Sequence, residues 1–161
     1  MRILLIPPAF HYPQYPTYLS LSDFPSGFAY LASSLKKAGH EVIGLNPNNT
    51  PGYVNAQAMI TELITKKINE VKPELIGLGG LCTDYAFLRD AISVIRSVNP
   101  AIPIVLGGQI VTNDAEFIFN DLKPDFAIVG EGEEAIVKIA HIVNGGVYEF
   151  WPDNIWYWRE E

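Results

Sequence analysis

Short apolar runs alternate with longer amphipathic segments along most of the chain. Ile3–Ile6 is the first run, continuous rather than alternating, and Pro7-Pro8 ends it. Pro25–Ala38 places Phe28, Leu31, Ala32 and Leu35 on one face at helical spacing. Ser22, Asp23 or Ser26 is positioned to cap that helix, and Gly39 to stop it. Glu41–Leu45 returns to strand. Asn55–Val71 predicts a second helix with Met59, Leu63, Ile64, Ile68 and Val71 as its stripe, and Pro73 prevents its continuation. Leu75–Gly79, Ile104–Gly107 and Phe126–Val129 read as further strands. Asp84–Val98, Ala115–Leu122 and Glu133–Val143 read as further helices.

Strand-then-helix units in this succession imply a parallel sheet covered by helices on both faces. The predicted fold is α/β, a Rossmann-like, flavodoxin-type three-layer sandwich. Its five-stranded parallel sheet has the order 2-1-3-4-5. After Gly145-Gly146 the pattern breaks. Val147–Glu161 gathers Tyr148, Phe150, Trp151, Trp156, Tyr157 and Trp158. Such a tail is either an edge strand or hairpin packed on the domain, or a linker and docking surface for another domain. The expected division is a domain over 1–145 and a tail over 146–161.

Composition narrows the class. The chain has 161 residues, enough for one domain. With 48% hydrophobic and 18% charged residues it is not a disordered chain. No apolar run reaches the roughly 18–20 residues that span a bilayer, and the opening run is too short for a signal peptide. A cytoplasmic location is the expectation. The charge is acidic, with 18 Asp+Glu against 11 Lys+Arg and a net −7. Nucleic acid is therefore not an expected partner, since its binders carry basic stripes. A single cysteine excludes a disulfide framework, an iron–sulfur cluster and a multi-cysteine zinc site within this chain. His11, His40 and His141 lack metal-ligand spacing, so no metal site is expected.

In an open parallel sheet, ligands bind beyond the carboxyl ends of the strands, where the strand order reverses. After the first strand comes a proline- and aromatic-rich loop through Phe10, His11 and Tyr12. It either walls a large planar ligand or covers the sheet edge. After the third strand, Gly79-Gly80-Leu81-Cys82-Thr83 offers close backbone approach. Thr83 reads as a helix cap or as a donor to a ligand. Cys82 lacks an activating partner in sequence. Gly107-Gly108-Gln109 follows the fourth strand and Gly130-Glu131-Gly132 the fifth. These glycine clusters on one rim mark a binding site, or tight turns alone. A dinucleotide fingerprint, a Walker-type loop, receiver-type acids and a flavodoxin phosphate loop are all absent.

Six segments carry a resemblance to a known family. They are Arg2–Pro8, Pro25–Ala32, Leu35–Val42, Pro73–Leu78, Pro103–Gly108 and Asp125–Glu133. In this order they resemble the cobalamin-binding-like domain found before radical S-adenosylmethionine (SAM) domains. Within it, the chain resembles the anaerobic magnesium-protoporphyrin IX monomethyl ester cyclase-like group. The resemblance covers about residues 1–145. It implies a cobalamin-binding module of a cyclase- or methyltransferase-like radical SAM enzyme. Phe10, His11 and Tyr12 would line the corrin. Gly79, Gly80, Gly107 and Gly108 would accommodate its nucleotide tail or edge, and Thr83 and Gln109 would join the cofactor site. Gly130, Glu131 and Gly132 would close the far rim. The Asp-x-His-x-x-Gly motif is absent, which implies base-off binding without a protein histidine on cobalt. Iron–sulfur cluster and SAM would belong to a following domain with a three-cysteine motif. That domain is the expected partner, and a homodimer through the aromatic tail is a further one. This chain is then a fragment or free-standing domain with no catalytic residues and no activity alone. The alternative is a degenerate module that binds no cofactor and serves as scaffold or substrate-recognition domain. A bulky residue at Gly108 is expected to abolish binding and leave the fold intact.

Overall fold

The structure is a computed structural model that describes residues 1–9, 25–49, 56–147 and 151–158. Its strands are β1 (Arg2–Ile6), β2 (Glu41–Gly44), β3 (Leu75–Gly79), β4 (Ile104–Gly107), β5 (Phe126–Ile128) and β6 (Ile155–Tyr157). Its helices are α1 (Ser26–Lys37), α2 (Ala56–Val71), α3 (Tyr85–Val98), α4 (Gln109–Asn113), α5 (Ala115–Leu122) and α6 (Glu133–Val143). The sheet order is β2-β1-β3-β4-β5-β6. The first five strands run parallel, in the order the sequence predicts. β6 joins β5 antiparallel, pairing Ile155 with Ile128 and Tyr157 with Phe126.

Strand residues point alternately to two faces, so each apolar run feeds two cores. Leu4, Ile6, Ile76, Leu78, Ile104, Leu106 and Ala127 meet Ile64 and Ile68 of α2, Leu88 and Ile95 of α3, and Phe119 of α5. Ile3, Leu5, Leu75, Val105 and Ile128 meet Leu35 of α1 and Ile136 and Ile139 of α6. Burial on both faces explains why the strands show no polar alternation.

Several local features differ from expectation. α1 is capped by the backbone of Pro25, with no side-chain cap, so Ser26 begins the helix rather than capping it. Ser22 and Asp23 lie outside the described residues. Gly39 ends α1 at φ 88°, a conformation suited to glycine. Asp84, not Thr83, occupies the residue before α3. α4 is too short to show periodicity in the sequence, and follows directly from a turn at Gly108.

The tail folds back on the sheet. The Trp151 and Tyr157 rings stack at 4.0 Å between centroids, and Phe126 lies 6.0 Å from Trp151. Trp158 stacks on Phe119 at 4.4 Å, and its indole N–H donates to the Pro124 carbonyl at 2.8 Å. β6 thus covers the β5 edge, which would otherwise offer unpaired backbone groups. Among the described residues, no helix is long and apolar enough to cross a membrane.

A clip joins the starts of β4 and β5. Asp125 Oδ2 accepts from Ile104 N at 2.6 Å and from Arg96 Nη2 at 2.7 Å. Arg96 Nη1 also donates to the Ile102 carbonyl at 3.0 Å. Asp125→Ala leaves these donors unmatched at a partly exposed site, and urea denaturation should show a loss of about 1–2 kcal/mol. His40, just before β2, has its pKa lowered from 6.5 by burial, then by the N-terminal amine and His141. The unfolded chain therefore takes up this proton first as pH falls. Stability linked to His40 is full above 6.5 and drops as pH falls from there toward the depressed folded value. His40→Gln should flatten that part of a stability-versus-pH curve.

Candidate functional site

A cavity of 420 Å³ opens at the carboxyl ends of β1, β3, β4 and β5, on the face covered by α1 and α6. Strand register explains its origin. Leu75, Val105 and Ile128 face α1 and α6, so Gly77, Gly79 and Gly107 fall on the same face by alternation. Side chains are missing from that layer just where the helices diverge. Phe28 and Leu31 of α1 and Ile136 of α6 form the facing wall, and Val105 and Ile128 the floor. Pro7, Pro8 and Asn48 line the β1 side, with Asn48 Nδ2 donating to the Pro8 carbonyl at 3.0 Å.

The glycines of the rim are not equivalent. A Cβ at Gly79 would stand 2.8 Å from the Gly107 carbonyl oxygen. One at Gly108 would stand 2.7 Å from the Gly80 carbonyl oxygen, and Gly108 also has φ +90°. Ile110 N donates to that same Gly80 carbonyl at 3.1 Å. These two loops pack backbone on backbone, so Gly79 and Gly108 serve the fold directly. Gly107 differs: its Cβ would meet only Ile128, at 4.0 Å, and would project into open cavity. Gly130, at φ +75°, has nothing within 4 Å of a Cβ and donates its N–H to Thr112 Oγ1 at 2.9 Å. A Cβ at Gly132 would come 3.0 Å from Leu31 Cδ2, so this glycine lets α1 and α6 meet above the cavity.

Of the residues marked in the sequence, Gly79, Gly80, Gly107, Gly108, Gln109, Gly130, Glu131 and Gly132 line this one cavity. Thr83 does not; it is exposed on the 3-10 turn Cys82–Asp84. Phe10, His11 and Tyr12 lie outside the described residues. Asp84 is the site residue that sequence reasoning missed. It is 6% exposed, lines the cavity, and its Oδ2 accepts from Leu81 N at 2.7 Å. A carboxylate right after a glycine-rich strand end was the available signal, but it read as an ordinary helix start. Phe28 and Leu31 were visible only as a helix stripe, Ile136 only as part of a helix, and Gly77 only as a strand residue. Cys82 is exposed, with Asn113 Nδ2 3.5 Å from its sulfur. No group of three or more potential metal ligands occurs among the described residues.

An open parallel sheet with a crevice at its carboxyl edge, entered through glycine loops, defines the class: α/β domains that bind at the topological switch point. Within that class, the chain belongs to the B12 binding domain family, which matches residues 23–140. It is 26% identical over 151 residues to the anaerobic magnesium-protoporphyrin IX monomethyl ester cyclase of Rubrivivax gelatinosus, covering 91% of this chain and 25% of that protein. It is 25% identical over 136 residues to the cytidylyl-2-hydroxyethylphosphonate methyltransferase of Streptomyces wedmorensis, covering 77% and 25%. The chain thus spans about a quarter of the length of these curated relatives. Among solved structures, the radical SAM methyltransferase TsrM from Kitasatospora setae, with cobalamin and an iron–sulfur cluster bound, superimposes with a TM-score of 0.75. That match has 18% identity and covers 96% of this chain and 28% of the other, and it is a likeness of fold.

The glycine geometry corrects one expectation from the sequence. A bulky residue at Gly108 does not spare the fold, because it strains a left-handed φ and collides with Gly80. Gly108→Val should cost roughly 2–5 kcal/mol in chemical denaturation. Gly107→Val should stay within about 1 kcal/mol of the parent, since a strand valine relieves glycine's entropy and meets open space.

Proposed function

We propose that this chain is the cobalamin-binding module of a cyclase- or methyltransferase-like radical SAM enzyme. The observation that carries the reading is the apolar slot over Gly107, between the sheet and α1 and α6, in a chain of the B12 binding domain family. The slot is too small for a whole corrin. It suits a flat heteroaromatic tail, enclosed by Phe28, Leu31, Val105, Ile128 and Ile136. The corrin would lie across the mouth against Gly79, Gly80, Gly108, Gln109, Gly130, Glu131 and Gly132, with Thr83 beyond that contact. Phe10, His11 and Tyr12 are the proposed cover from the β1 loop.

When bound, cobalamin supplies a cobalt centre that makes and breaks bonds to carbon. The chain's part is to bind and orient it. Apolar walls exclude water from the tail, and the glycine rim brings backbone groups close to the ring. Seating the tail in this slot would hold its base away from cobalt, which supports a base-off mode. Cluster and SAM chemistry falls to a radical SAM domain, the proposed partner. Pairing of two copies through the tail is the weaker partner reading, because Trp151, Tyr157 and Trp158 are already engaged on their own domain.

Titration with hydroxocobalamin, followed by visible spectroscopy and calorimetry, tests this. Saturable binding with a base-off spectrum is expected. Gly107→Leu should weaken it at least about tenfold, the effect of losing only about 60 Å² of apolar contact at roughly 25 cal/mol per Å². Absence of saturable binding by the well-folded parent chain would overturn the reading in favour of a scaffold that holds no cofactor.

A further inference from the structure

Among the described residues, the charged side chains that line the cavity are all of one sign. Asp84, Glu131 and Glu133 line it, and no lysine, arginine or histidine does so among the described residues. The sequence extends the pattern. Between Arg2 and Lys36 there is no lysine or arginine, so the loop after β1 brings none. None occurs in residues 79–84, 107–114 or 129–134, the loops that follow β3, β4 and β5. Asp114 and Glu134 add further negative charge to those loops. Lys36, in the last turn of α1, lines a neighbouring groove that shares Pro7, Pro25 and Phe28 with the cavity, whereas Lys37, Arg96 and Lys123 line neither. Asp84 is the deepest of the lining carboxylates, being buried and already accepting one backbone hydrogen bond.

We infer that this rim selects corrinoids whose peripheral side chains are amides, and rejects those that carry free carboxylates. The inference rests on the cobalamin reading above and goes beyond it to the ligand's substitution. A primary amide presents two N–H donors, which match acceptor-only carboxylates and form charge-assisted hydrogen bonds. A carboxylate in the same place donates nothing and faces like charge at a partly desolvated surface, with no lining cation among the described residues to offset it. The same repulsion acts on any tetrapyrrole that presents ionised propionates to this mouth. The cavity therefore discriminates by charge as well as by shape, and does so by repulsion of the wrong ligand.

The test compares cobalamin with its b-, d- and e-monocarboxylic acid derivatives, in which one peripheral amide is hydrolysed. Calorimetry is run on the chain at pH 8 in low salt. At least one monoacid should bind at least about tenfold more weakly than cobalamin, the effect of a like charge even about 12 Å away at an effective dielectric of about 20. The gap should shrink in high salt, which screens such repulsion. It should also shrink in a Glu131→Gln, Glu133→Gln double variant; if that variant is poorly folded, the salt series on the parent decides. Equal affinities for cobalamin and all its monoacids would overturn the selectivity while leaving the cobalamin reading in place. A gap insensitive to both salt and the glutamine substitutions would overturn its electrostatic origin. Failure of cobalamin itself to bind would instead overturn the underlying module reading.

Discussion

The contact between the Gly79-Gly80 and Gly107-Gly108 backbones is the constraint on which the site depends. Two adjacent parallel strands end side by side here, and their exit loops must part into α3 and α4. They can pack this closely only without side chains, since Cβ atoms at Gly79 and Gly108 would fall 2.8 and 2.7 Å from carbonyl oxygens across the gap. The Ile110 N–H closes the arrangement on the Gly80 carbonyl. Because both loops are held by main chain, the mouth of the cavity is set by backbone geometry rather than by side-chain rotamers. Rigidity of that kind reduces what a ligand must order on binding.

The cavity itself is a consequence of strand register more than of helix placement. β3 and β4 contribute large residues to the α2 and α3 side and glycines to the α1 and α6 side at their carboxyl ends. The deeper glycine, Gly77, is already covered by Leu5, whose Cδ2 would lie 2.6 Å from a Cβ there. Gly107 is left uncovered. One sheet thus carries a closed core on one face and an open slot on the other, and a single glycine separates the two outcomes.

The parallel sheet and its order were legible because doubly buried strands and amphipathic helices leave distinct periodicities. The antiparallel β6 was legible only as an alternative, since aromatic residues suit an edge strand and an interface equally well. α4 left no trace, being a single turn and a half. At the site, Gly79, Gly108 and Gly130 were found because strand-end glycines stand out. Their separate reasons were not legible: close packing at Gly108, a turn at Gly130 and empty volume at Gly107 all look alike as a one-letter code. Asp84 was missed because its burial depends on the Gly80 loop folding back over it, and no local pattern records that. Thr83, one residue earlier, drew attention for its hydroxyl and is turned to solvent.

The edge strand has a spectroscopic consequence. All 3 tryptophans of the chain lie in residues 151–158, so its intrinsic emission comes from one border of the sheet. Trp151 is stacked on Tyr157, and Trp158 is pinned by Phe119 and the Pro124 carbonyl. That border is hydrogen-bonded to β5, whose far end opens into the cavity. A strongly absorbing chromophore seated at the mouth would therefore sit close to every indole at once, and energy transfer would dim them together. Fraying of β6 would instead release Trp158 first and redden the emission without that uniform loss. One built-in signal thus separates occupancy of the crevice from loosening of the sheet's edge.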